Sequence, residues 1–107
     1  MSELVERLSQ GIHSVEIALR PERSPHILKE CIERGYVHVK FTDTRGGTEV
    51  GVRIDENMAQ CALADVSRGE STIRVSGTLV LDYIPVRCVV DINLETYNGT
   101  GCLQVVQ

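Results

Sequence analysis

Nine arginines stand against two lysines in this chain, and that imbalance is the first place to look for chemistry. A guanidinium is a planar fork that grips carboxylates and phosphates through paired hydrogen bonds, and it tolerates interfaces better than an ammonium does. Arg20 and Arg23 flank Pro21 just before a predicted helix start, and Arg45 precedes Gly46-Gly47, whose backbone suits an anion-holding nest. Arg20, Arg23, Arg45, Gly46 and Gly47 are therefore the candidate contacts for an anionic small molecule. The double glycine lacks Walker spacing and a trailing Lys-Ser/Thr, so it does not read as a nucleotide loop. Codon bias and surface ion pairs offer a plainer source for the arginine excess.

His13, His26 and His38 stand singly, without the spacing of zinc sites, and no metal or cofactor set is expected. His38 falls on the polar parity of a strand, which leaves its imidazole reachable and adds it to the candidate ligand contacts. Cys31, Cys61, Cys88 and Cys102 form no CxxC pair. Cys88 shares parity with Val90 and Ile92, whereas Cys102 lies on the face opposite Leu103, so these two thiols should not bridge. No nucleophile elbow is present and no cysteine sits in an identifiable basic setting, so no catalytic residue is assigned. Asp65-Val66-Ser67-Arg68-Gly69 resembles the D-x-S-x-x-G element of cyclic-di-GMP-binding PilZ domains. Its glycine comes one residue early, and the family's paired arginines have only Arg20 and Arg23, far upstream, to stand for them.

The elements that must carry these groups follow from composition and periodicity. The 107 residues suffice for one domain, 1–107, with its own core. Hydrophobic residues are 42% and aromatics only 4%, so the core is mainly Val, Ile and Leu, which favours strands. A net charge of −4 lacks the basic footprint of a duplex nucleic-acid binder. No run approaches the roughly 20 apolar residues of a membrane span. The opening residues lack the order of a secretory signal, so a cytoplasmic location is expected.

In chain order, Ser2 is placed to cap a short helix over 3–10, with Leu4, Val5 and Leu8 on one face. Val15, Ile17 and Leu19 alternate along a strand at 13–20, although a helix is the rival reading there. Ser24 at N-cap and Pro25 at N1 open the best-signalled helix, 24–34, with Ile27, Leu28, Cys31 and Ile32 as its stripe and Gly35 as its stop. Val37, Val39 and Phe41, then Val50, Val52 and Ile54, point inward from two strands joined by a turn at 43–47. A helix at 55–65 follows, holding Met58, Cys61 and Ala62.

The last third alternates apolar and polar residues throughout. Residues 71–94 would span about 80 Å if extended, too long for one strand of a domain this size. A turn at Pro85 is expected, setting Leu81 opposite Cys88 and Leu79 opposite Val90. Asn98-Gly99 is the preferred dipeptide of a type I′ turn, which would set Leu94 opposite Leu103 and Ile92 opposite Val105.

The fold class that results is α+β: an antiparallel sheet of five to six strands with two or three short helices. The element order matches a ferredoxin-like βαββαβ unit extended by a C-terminal hairpin, and a strongly curved antiparallel sheet is the simpler alternative. The final strand ends apolar on both faces and carries no Lys or Pro to guard its edge. Cys102, Val105 and Val106 are thus the expected interface, with a protein partner or a second copy as the occupant and neither nucleic acid nor membrane. The expected function is a non-catalytic accessory or regulatory protein that binds through its sheet surface or terminal edge. The alternative is a pocket for an anionic ligand, or a catalytic site, between helix 24–34 and the sheet.

Overall fold

The computed structural model describes residues 3–19 and 22–106. Nine elements follow one another: α1 (Glu3–Leu8), β1 (His13–Ala18), α2 (Pro25–Arg34), β2 (Tyr36–Phe41), β3 (Thr48–Ile54), α3 (Glu56–Ser67), β4 (Thr72–Leu81), β5 (Ile84–Asn93) and β6 (Asn98–Val105). Each strand pairs antiparallel with the next, and β6 returns to pair with β1, so the six strands form a closed barrel. The α+β class and the antiparallel sheet hold. The element order βαββαβ followed by a hairpin is present, but the sheet is not open and its strands do not pair as in a ferredoxin-like unit. A βαβ crossover sets its strands parallel, whereas here α2 and α3 each join neighbouring antiparallel strands.

The local signals in the first two thirds act as their chemistry dictates. Ser24 Oγ accepts from the Ile27 N–H at 3.2 Å, and Gly35 closes α2 in the left-handed region at φ 75°. Leu28 and Ile32 of its stripe are buried, with Ile27 and Cys31 packed at the margin. The alternating residues Val15, Ile17, Val37, Val39, Phe41, Val50, Val52 and Ile54 all enter the core. The 13–20 segment forms a strand over His13–Ala18, and its last residue Arg20 and the Pro21 that follows lie outside the described residues, as does the proposed cap Ser2. Helix α1 has only six residues, too few to persist alone, but it packs against β6 and buries Val5 and Leu8 completely. In α3 only Ala62 is fully buried, and Cys61, expected on the packed face, is exposed.

Both late hairpins turn elsewhere than expected. The β4–β5 turn is Asp82-Tyr83, with Leu81 opposite Ile84 and Leu79 opposite Val86. Both turn residues have positive φ, 50° and 67°, the requirement of a type I′ turn. Pro85 lies inside β5, opposite Val80; its carbonyl accepts from Val106, so its missing N–H falls at the last rung on the β6 side. The β5–β6 loop is 94–97. Asn93 organises it, its side-chain oxygen accepting from the N–H groups of Glu95 and Thr96 while its carbonyl accepts from Tyr97. Asn98 and Gly99 are strand residues, paired with Glu16 and Val15 of β1. Leu103 therefore faces Cys88, and Ile92 faces Gly99.

Closure requires close backbone approach at two glycines. A Cβ on Gly99 would lie 1.9 Å from the Asp91 carbonyl oxygen, and one on Gly77 would lie 2.1 Å from that of Arg53. Neither position accepts a side chain without moving a neighbouring strand. Gly77→Ala should cost about 2–3 kcal/mol through this overpacking, against about 1 kcal/mol for the lost cap in Ser24→Ala. Urea denaturation of the two variants measures the difference.

Candidate functional site

The ladder is uneven around the barrel. Ten residue pairs join β4 to β5 and seven join β5 to β6, but only Arg53–Thr78 and Ile54–Gly77 join β3 to β4. The top of this seam is held firmly. Asp55 donates its N–H to the Ser76 carbonyl at 3.0 Å, and its carboxylate accepts from Arg87, which also donates to Ser76 Oγ at 3.3 Å. Helix α3, which connects the two strands, packs on β4 at that end. Below Arg53–Thr78 the strands part, leaving a cleft of about 710 Å³, within the usual size range of ligand sites.

Val50 and Val86 form the buried floor of this cleft, and the half-buried Leu79 and Leu81 line it from β4. Leu79, Leu81 and Val105 point inward yet are only partly covered, because the barrel is open here. Tyr36, Val80 and Val106 line the rim at 45%, 66% and 46% exposure, and Tyr83 stands fully exposed two residues beyond Leu81. Three of the five large apolar side chains exposed among the described residues, Tyr36, Val80 and Val106, thus line one opening, and Ile12 and Tyr83 are not among its lining residues. Tyr36 is held there by its neighbours. Its ring meets His38 edge-on at a centroid distance of 5.2 Å, and its hydroxyl occupies the space a Gly51 side chain would need.

The arginine candidates are dispersed. Arg23 pairs with Glu16 at 3.3 Å, and Arg20 lies outside the described residues. Arg45, Gly46 and Gly47 form the exposed β2–β3 turn, where the Gly47 N–H donates to the Thr44 carbonyl. His38 sits on the outer face of β2 beside Tyr36. Of these, none of the described residues lines the cleft, whereas Val106 does. A second hollow, of about 150 Å³, does lie against α2, but Pro25, Leu28, Val66, Gly69, Glu70, Leu94 and Tyr97 line it, not Arg45, His38 or Cys31. Asp65 and Arg68 pair with each other at the end of α3. Cys102 lies half-buried on the outer face opposite Val89, and part of the β6 edge is taken up by β1.

Among the described residues no group of three or more His, Cys, Asp or Glu side chains is placed to hold a metal ion. None of the helices is long and apolar enough to cross a membrane. No protein-family model matches the chain, and no curated protein matches it.

Sequence reasoning located Val106 as an interface residue but did not single out Tyr36 or Tyr83. For Tyr83 a signal was present in Asp82-Tyr83-Ile84-Pro85, which bears the turn. Left-handed backbone costs a residue with a Cβ about 1–2 kcal/mol, and Tyr83 adopts it with no side-chain burial in return. The double variant Asp82→Asn, Tyr83→Gly should therefore be about 1 kcal/mol more stable than the parent, measured by urea denaturation.

The four thiols are free, and Cys88 points into the core opposite Leu103. Burial pushes its thiol up from 9.0 to about 12, and the nearby Cys102 adds to the rise. A raised folded value means that folding stability is intact below the unfolded value and falls as the thiolate form becomes favoured in the unfolded chain. Stability should therefore decline between about pH 9 and pH 12. Cys88→Ala should be less stable at neutral pH through lost packing, yet lose less across that window, as measured by denaturation midpoints at each pH.

Proposed function

We propose that this protein is a non-catalytic binding module, an accessory or regulatory subunit that receives an apolar part of a partner protein in the cleft between β3 and β4. The carrying observation is the coincidence of Tyr36, Val80 and Val106 around an opening floored by Val50 and Val86. Exposed apolar residues scattered singly need no explanation, but a cluster rimming a concave opening marks a contact site. The expected interface thus keeps Val106 and moves from the β6 edge to the neighbouring seam. A reducing, cytoplasmic setting goes with this reading, supported by four unpaired thiols.

Site-specific photo-crosslinking in the source cells tests it. A crosslinker at Val80 should capture one discrete protein product, and Val106→Lys should reduce that capture at least tenfold. A crosslinker at Thr100, on the outer face of β6, serves as the control. Equal labelling from both positions, or none from Val80, overturns the proposal.

A further inference from the structure

The backbone of the seam says what shape of partner fits. Along β3, Ile54 donates to Gly35, just ahead of β2, and the next residue, Asp55, donates to Ser76 on the β4 side. Backbone groups alternate sides along an antiparallel strand. Arg53 and Gly51 therefore turn their N–H and C=O groups toward β4, while Ser76, Thr78 and Val80 turn theirs toward β3. The ladder runs through Arg53–Thr78 and stops. Gly51 and Val80 would form the next hydrogen-bonded rung, but they line opposite walls of the cleft and have no register partner across it. An ordinary sheet edge offers one row of such groups. Here two rows face each other across an apolar floor.

The size of the surface argues against a second folded copy. The exposed parts of Tyr36, Val80 and Val106 amount to roughly 300 Å². A standard interface between folded proteins takes about 800 Å² from each partner. One extended segment needs less, and it brings backbone groups for both walls, which an isolated apolar ligand does not.

We infer that the seam accepts a single extended segment of a partner polypeptide as an added strand between β3 and β4. Because β3 and β4 are antiparallel to each other, the segment runs parallel to one and antiparallel to the other. Its backbone pairs with Gly51 on one side and Val80 on the other. Alternate side chains point into the barrel over Val50, Leu79 and Val86, which selects aliphatic and β-branched residues there. Intervening side chains lie outside between Tyr36 and Val80. The seam has a function because it is short: a full β3–β4 ladder would leave no place for a guest strand. This inference rests on the binding reading above and adds the form of the guest.

The test uses the full chain and two synthetic heptapeptides of alternating valine and threonine with a lysine at each end. One has a normal backbone. In the other the threonine amides are N-methylated, which blocks one edge of the strand and leaves the side chains intact. The normal peptide should shift the amide resonances of Gly51 and Val80, slow their hydrogen exchange at least tenfold, and bind at least tenfold more tightly than its methylated twin. Val80→Pro removes an N–H that the seam leaves without a partner. It should leave the circular dichroism spectrum unchanged and abolish peptide binding.

Equal binding of the two peptides overturns strand addition while leaving an apolar binding cleft in place. Failure of the normal peptide to perturb Gly51 and Val80 overturns it as well, and the crosslinking from Val80 then decides separately whether the cleft binds a partner at all. Concentration-dependent shifts of the same residues without peptide make a second copy the occupant and also overturn the inference.

Discussion

Closing an antiparallel sheet with only six strands forces each strand to coil strongly, and strong coiling brings backbones together at the corners. Gly77 and Gly99 absorb that approach, since a side chain on either would collide with a neighbouring carbonyl. Their reward is a core that needs few aromatics. Val, Ile and Leu side chains from all six strands meet inside, with Phe41 among them and Val5 and Leu8 added from α1. The barrel also removes most of the free edge that an open sheet would leave. Strand β1 is decisive here, because it pairs with β2 on one side and β6 on the other.

The same closure is incomplete at one seam, and the two halves of that seam differ for chemical reasons. At the top, Asp55 serves β4 through its backbone and Arg87 of β5 through its carboxylate. The rung at Gly77 lies just below, tight enough to exclude any Cβ. Lower down, β4 continues with β5 as a long two-stranded ribbon to the Asp82-Tyr83 turn, while β3 ends its pairing with β4 at Arg53. Stability is thus concentrated above the divergence, and recognition is assigned below it. That division fits the general finding that binding regions carry less of a protein's stabilising contact than its core.

Much of this architecture was legible from residue types. Helix α2 announced itself through Ser24, Pro25 and Gly35, each acting through local backbone chemistry. Inward and outward faces followed from alternation, and every alternating apolar residue of β2 and β3 reached the core. The two late hairpins were misplaced for one shared reason. Leu103 faces Cys88 instead of Leu94, a slip of six residues, and Leu79 faces Val86 instead of Val90, a slip of four. Both slips are even. A period-2 pattern is unchanged by an even shift, so apolar residues opposed apolar residues in the wrong registers too. Asn98-Gly99 has the preferred composition of a tight turn, but its glycine serves close strand packing, and the loop is organised instead by Asn93 five residues earlier.

The sequence by itself determined the order of helices and strands, the inward face of the strands, and that Cys88 and Cys102 do not bridge. These properties depend on groups within a few residues of one another. The tertiary structure alone decided that β6 returns to β1, that Arg23, Arg45, Gly46 and Gly47 lie away from the cleft, and that Tyr36, Val80 and Val106 line one opening. Closure and divergence are set by how far coiled strands travel before they meet. That distance is a property of the whole ladder, and no local stretch of residues encodes it.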